Sequence, residues 1–460
     1  MKTIHTCIIA AASLSLVSIS AFAAAQGAPP MDDRYKNLDK ELRKFADEPP
    51  PARATLVRTA DLGWKPMQNV TEAFAKLLKD GVLKPGVDLR LDQMYRISGS
   101  HVLPDNVTIS AKKGGGFHVI DAKENMKPLF RLGNGNVLNN VVLYYANTPK
   151  LGVRSIRHGI DFFDKQALRA TDKHDILVKN CRLEGMIAIH IRLDGCKRVR
   201  LIGNHIIGGF WAVSPNVTDF VVRRCLFEKA CCDGMKVGMR RALVEDCVFQ
   251  NSRDGIDTTG GLNDVIVRNT IFRRLHVSGM DIKSFYARPK DLRPTRLHKN
   301  ILVENCQFYD MPNAFVFTTE DYGLAKGGPE KALLTAGNVK TYAPHDVDIN
   351  NCLIGHSEKP LLTSHQGGYG VNYPTDDGEY MRIFLLKDAH SIRYRNLRFS
   401  GERIKTAYIR SNGGTSHLSA ESGKALDHDI TGNILDKPAP PIKPGQAEAP
   451  FACGPQLLEQ

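Results

Sequence analysis

The chain has 460 residues, a formal net charge of +13 and 42% hydrophobic residues. Such a length exceeds a typical single mixed domain and is ordinary for a repeat architecture. The basic surface suits an acidic polysaccharide or an anionic envelope and, on an exported chain, argues against a nucleic-acid partner.

At the N-terminus Lys2 precedes an apolar run from Ile8 to Ala21, and small residues follow up to Gln26. This pattern predicts a signal peptide over residues 1–25 and a secreted or periplasmic mature protein. The run is too short to cross a bilayer, and no later segment approaches the ~18 apolar residues a span needs. Ten cysteines include Cys7 of the leader. The odd number left excludes a complete intramolecular disulfide framework, and neither a CxxC pair nor a zinc-ligand spacing occurs.

Residues 26–84 form an N-terminal segment. Within it, Asn69–Gly81 predicts a capping helix: Asn69 with Glu72 three residues on marks the start, and Phe74, Leu77 and Leu78 share one face. Gly86–Ser110 then alternates as the first strands.

From Ile176 one pattern recurs, an apolar triplet followed by Asn and often Cys: ILVKNC, RLIGNH, FVVRRC, ALVEDC, VIVRNT, ILVENC, VDINNC and IRYRNL. Its fifth positions, Asn180, Asn204, Arg224, Asp246 and Asn269, lie 24, 20, 22 and 23 residues apart. Steps of 36, 46 and 45 to Asn305, Asn351 and Asn396 read as the same unit with loops inserted. A period near 22, β-branched strands and no helix between them indicate a β-solenoid, and the leucine spacing of leucine-rich repeats is absent. The Asn at the bend tolerates left-handed backbone and can bond its counterpart one coil away. Cys181, Cys225, Cys247, Cys306 and Cys352 fill one slot after it and read as a buried ladder of small side chains. The solenoid is expected over 85–415, with a C-terminal extension over 416–460 that is Pro-rich from Asp436.

A further strand follows each Asn-Cys strand. Alternation sends Ile160, Ile189, Met235, Ile256, Met280 and Phe315 into the bore and Asp161, His190, Lys236, Asp257, Asp281 and Val316 outward in a column. Arg192, Gly238, Thr259, Lys283 and Thr318 extend the column, and Gly234, Gly255 and Gly279 leave space above it. Asp257 and Asp281 then lie about 5 Å apart at the backbone. Carboxylates that close repel unless one is protonated or a cation lies between them. With Asp233 and Asp254 leaning over the same face, the four oxygen-bearing side chains form a candidate calcium site. The alternative for Asp233 and Asp254 is that they form turns before Gly.

The succession CDGMKVG, NSRDGIDTT and SGMDIKS resembles the family-nine pectate lyases, right-handed parallel β-helix polysaccharide lyases. The resemblance implies an all-β right-handed parallel β-helix, an acidic uronate-containing polysaccharide as substrate, calcium-assisted β-elimination, and Asp233, Asp254 and Asp257 as Ca2+ ligands. The family's base, a Lys, falls on Asp281 here, so Lys283 or Lys236 takes its place. His190, Arg192, Arg274, His276, Tyr286 and Arg288 are candidates to bind substrate carboxylates or protonate the leaving group.

A weaker resemblance is to the polygalacturonases, whose Asn-Thr-Asp-Gly-Ile-Asp motif is echoed by NSRDGID. Their Asp-Asp pair falls on Val277-Ser278, and their Gly-His-Gly has no counterpart in MPNAFVF. A hydrolase, a uronan C5-epimerase and a non-enzymatic adhesin therefore stand as rivals to the lyase. Insertions over 285–299, from Thr319 to about 345 and from Ser364 to about 390 are expected to wall the groove. His365–Tyr380, rich in Tyr and Gly, reads as a sugar-binding loop.

Overall fold

The apolar triplets become parallel strands. The structure, a computed structural model, describes residues 32–120, 127–145, 166–185, 188–286, 296–321, 339–355, 381–386, 389, 391–395, 397–400, 404–405, 408–411 and 414–417. The leader, the expected strand His158–Asp164, Arg288, the Asn396 mark, most of the three insertions and the Pro-rich tail lie outside these residues. No helix among the described residues is long and apolar enough to cross a membrane. The chain is a parallel β-helix with an N-terminal helix, as the repeat implied.

Two compact units divide it. One comprises residues 41–236; the other holds residues 32–40 and 237–355 with the described strands beyond. In the first unit one ladder runs Leu89, Ile109, Leu138, Val178, Leu201 and Val222, each opposite the next. All six side chains are buried. A second parallel sheet carries short strands such as Arg182–Glu184 and His205–Ile207. In the second unit Ile256, Met280 and Phe315 align, as do Val265, Ile301 and Val347. Beneath them Phe249, Phe272 and Phe308 stack at 5.1 and 4.8 Å between ring centroids, their planes nearly parallel. The spacing is that of neighbouring strands, so one ring per coil stacks without gaps.

The bend after each triplet is left-handed, as the Asn implied. Asn180, Arg224, Asp246, Asn269, Asn305 and Asn351 have φ between 48° and 55°. The expected ladder is present: Asn351 Nδ2 donates to Asn305 Oδ1 at 2.6 Å and Asn269 Nδ2 to Asp246 Oδ1 at 3.3 Å. One repeat is misaligned by a residue. In RLIGNH the left-handed residue is Gly203, φ 65°, and Asn204 occupies the cysteine slot. There its amide accepts the Cys181 N–H at 2.9 Å and donates to the Val178 carbonyl at 2.8 Å.

The cysteine slot has a second role besides filling space. Each thiol donates to the carbonyl two residues back: Cys181 to Lys179 at 3.3 Å, Cys225 to Arg223 at 3.5 Å, Cys247 to Glu245 at 3.2 Å, Cys306 to Glu304 and Cys352 to Asn350 at 3.3 Å. Where the slot holds Thr270, its hydroxyl does the same to Arg268 at 2.8 Å. That carbonyl also accepts a backbone N–H from the neighbouring coil, as Lys179 does from Asn140 and Asn350 from Asn305, and a small side chain with one donor fills its remaining lone pair. Burial pushes the Cys181 thiol up to about 12, so it stays protonated and inert.

The capping helix spans Thr71–Lys79. Asn69 serves it by accepting the Thr71 N–H at 3.1 Å, whereas Glu72 makes no reciprocal cap and Val70 holds the N-cap position. Phe74 is the buried residue of this helix and meets Phe117 and Phe130 at 5.9 and 5.6 Å. A second helix, Asp33–Asp47, has no counterpart in the sequence reading. It buries Tyr35, Leu38, Leu42 and Phe45, spaced as one helical stripe. In the second unit the Tyr35 hydroxyl donates to Asp348 at 3.0 Å and Asp39 pairs with Arg268. In the first unit Arg198 lies over the Phe45 ring at 4.5 Å, and Arg200 donates to the Phe45 carbonyl at 3.2 Å. The middle residue of a triplet is buried as well at Leu177, Val221, Leu243, Ile266 and Leu302.

Candidate functional site

Two neighbouring strands of the second unit, Asp254–Arg268 and Ser278–Tyr286, build the site. Their register sets Asp254 opposite Ser278, Ile256 opposite Met280 and Asp257 opposite Asp281. The next strand sets Val316 beside Asp281 and Thr318 beside Lys283. The polar column therefore holds its expected register across three strands. Its side chains are more enclosed than an outward column implies: Asp254, Asp257 and Asp281 are all 0% exposed and Lys283 is 6% exposed.

The Lys283 ammonium lies 2.6 Å from Asp281 Oδ2 and 3.4 Å from Asp257 Oδ1. One cation is thus shared by two carboxyls that would otherwise repel. Asp254 accepts the Ser278 hydroxyl at 2.6 Å and faces Arg253 Nε at 3.4 Å. Asp254 and Asp257 present carboxylate oxygens within 4.8 Å of each other. Asp281 Oδ1 meets no hydrogen-bond donor among the described residues. Burial raises the Asp281 carboxyl to about 8; Lys283 opposes the rise, and Asp257 and Asp254 add to it. A buried carboxylic acid that holds its proton near neutrality can serve as acid or, once ionised, as base.

Three further residues hold this patch in place. Thr258 Oγ accepts the Lys283 backbone N–H at 3.0 Å. His298 Nδ1 accepts the Leu262 N–H at 3.2 Å, which fixes the proton on Nε2, and that nitrogen serves the Lys283 carbonyl. Burial lowers His298 to about 3, so it is neutral and structural. Ser278 is the third. Register alone would have exposed all of them: Ser278 faces Asp254, and His298 precedes the strand that pairs Lys299 with Asn263.

The glycines of the column answer to the core. A Cβ on Gly255 would lie 2.5 Å from Phe272 and 2.6 Å from the Gly279 carbonyl, and one on Gly279 would lie 2.5 Å from Phe308. They make room for the stacked rings below, where the sequence reading had them clear space above the face.

His190 is completely buried, its Nε2 2.9 Å from the Ile207 carbonyl, and desolvation lowers it to about 4. It packs over Gly209, where a Cβ would sit 3.1 Å from its ring, and is not presented outward. Arg192 is held by Asp194 at 2.9 Å. Arg274 forms a left-handed turn, φ 52°, and His276 follows in the same connection. Tyr286 ends the site strand opposite Asp321. In the first unit Asp233 is buried; it accepts the Cys232 thiol at 3.0 Å and lies 3.8 Å from Lys236 Nζ.

No family model and no curated protein matches the chain. Solved structures do match it in fold. An exopolygalacturonase from Thermotoga maritima aligns at TM-score 0.50 and 13% identity over 84% of this chain and 97% of its own. The surface protein and adhesin PfbA of Streptococcus pneumoniae aligns at 0.50 and 11% over 77% of this chain and 97% of its own. The tailspike of E. coli bacteriophage HK620 aligns at 0.50 and 9% over 83% and 70%. At such identities the likeness is one of fold.

Proposed function

We propose that this chain is an exported enzyme that cleaves a uronate-containing polysaccharide by β-elimination at the Asp254, Asp257, Asp281 and Lys283 cluster. The observation that carries the reading is the Lys283 ammonium 2.6 Å from Asp281 and 3.4 Å from Asp257. Elimination needs positive charge at the uronate carboxylate and a base at C5. Ion-paired as it stands, Lys283 offers the charge. Asp281, with its proton affinity raised by burial, offers the base in its ionised form. The sequence reading offered Lys283 or Lys236 as base; the ion pair of Lys283 favours Asp281 in that role. The net charge of +13 favours a polyanion, and the exopolygalacturonase shares the scaffold.

Calcium fits the remaining carboxylates. Asp254 and Asp257 offer oxygens no more than 4.8 Å apart, a gap one cation with bonds of about 2.4 Å can span. Asp233 is the further ligand expected from the sequence. Calcium held there would stabilise the charge that develops on the uronate carboxylate.

Hydrolysis is the second reading, favoured by the same Asp281: protonated near neutrality, it would act as general acid with Asp257 or Asp254 as the second carboxylate. Incubation with pectate, alginate and glycosaminoglycans, with and without EDTA, decides between them. Ultraviolet absorbance of unsaturated uronates, abolished in Lys283→Met and Asp281→Asn, is the expected result. New reducing ends without that absorbance refute elimination, and binding without cleavage refutes the enzyme.

A further inference from the structure

The first unit contains a cavity of about 370 Å³ between the segment that follows the Asp33–Asp47 helix and two left-handed turns. Its wall includes Asp47, Glu48 and Pro49 on one side and Lys179, Arg223 and Arg224 on the other. The charges there are unevenly satisfied. Asp47 is taken by Arg223 at 2.8 Å, and Glu48 by Arg198 at 2.8 Å. Lys179 and Arg224 have no charged partner among the described residues. Arg224 has a left-handed backbone, φ 54°, and lines the cavity.

We propose that this cavity is a second, non-catalytic binding site for a carboxylated sugar. Two unpaired cations call for an anionic group. The two carboxylates opposite them would repel a phosphate or sulfate dianion but accept sugar hydroxyls, so the wall suits a ligand with one carboxylate and several hydroxyls. Pro49 adds an apolar, preordered surface for a sugar's C–H face. The volume accommodates one or two sugar units. The residues are separate from the Asp254–Lys283 cluster and do not depend on its chemistry. Such a site would hold a polymer on the protein and raise its local concentration.

The test is calorimetric titration of the full chain with the trimers of galacturonate, mannuronate and guluronate, and with inorganic sulfate. The variant is Lys179→Gln combined with Arg224→Asn, Asn being chosen because it tolerates the left-handed backbone. The single Lys179→Gln variant leaves the turn untouched and controls for folding, with coincident thermal unfolding required of both. The expected result is a tri-uronate binding event weakened on the order of tenfold in the double variant, less in the single one, and weakened by salt in the wild type. The proposal is overturned by equal affinity in wild type and variants, by no tri-uronate binding to the wild type, or by sulfate binding as tightly as the sugar acid.

Discussion

Replacing Asp281 with Asn tests the electrostatics of the cluster without requiring the substrate. Burial raises the Asp281 carboxyl from an ordinary 3.8 to about 8 in the folded chain. Between those values the folded state holds a proton that the unfolded chain has released. The difference in bound protons, unfolded minus folded, is therefore negative, and stability falls as pH rises through this window. The slope approaches about 1.4 kcal/mol per pH unit for one full proton. From about pH 5 to about pH 7.5, Asp281 then removes up to roughly 3 kcal/mol. Asn has nearly the same shape, does not titrate and keeps an oxygen for Lys283, which lies 2.6 Å from the native carboxyl. The variant should gain on the wild type steadily across that range. Urea unfolding in EDTA, followed by circular dichroism at several pH values, measures the difference. A constant difference between variant and wild type would refute the argument, because it would mean that Lys283 holds Asp281 ionised throughout.

Other substitutions test the scaffold and the chemistry. Gly279→Ala drives a Cβ to 2.5 Å from Phe308 and should destabilise by ~1–3 kcal/mol, with part recovered in a Phe308→Leu background, both read by denaturant midpoints. Asn204→Ala leaves the Cys181 N–H and the Val178 carbonyl buried without partners and should cost on the order of 2–4 kcal/mol in the same assay. Cys247→Thr should be nearly neutral because Thr270 already fills the equivalent slot, whereas Cys247→Ala loses the donor to Glu245 and should cost ~1 kcal/mol. In the cleavage assay, elimination with Asp281 as base predicts a rate that rises with pH through about 8; hydrolysis with Asp281 as acid predicts a rate that falls there.

The fold was legible because a solenoid writes one rule many times. Six of the marked positions, from Asn180 to Asn351, adopt the same left-handed bend, and a single misaligned repeat at Gly203-Asn204 did not disturb the inference. The Asp33–Asp47 helix was not legible as cover for the sheet. It occurs once, and its ion pairs join residues far apart in sequence, such as Arg34 with Asp348. A periodicity argument has no access to a contact made once. The glycines were misread for a related reason: their constraint comes from Phe272 and Phe308, which belong to another strand of the coil.

Register brought Asp257 to Asp281 because strand pairing fixes which residues are opposite, and alternation fixes which share a face. Neither rule fixes how deeply a face is covered. That depth decides the chemistry, since the same carboxyl is an ordinary solvated anion when exposed and a proton carrier near neutrality when desolvated. His190 illustrates the same limit in the opposite direction: its column position was read from alternation, yet burial leaves it a neutral ring bonded to a backbone carbonyl. In a solenoid the sequence period is set by the backbone, whereas side-chain function is set by what lies over one coil and not the next. Residues that break the repeat while keeping its register, as Asp281 does beside Val316 and Lys283 beside Thr318, are therefore where function is to be sought.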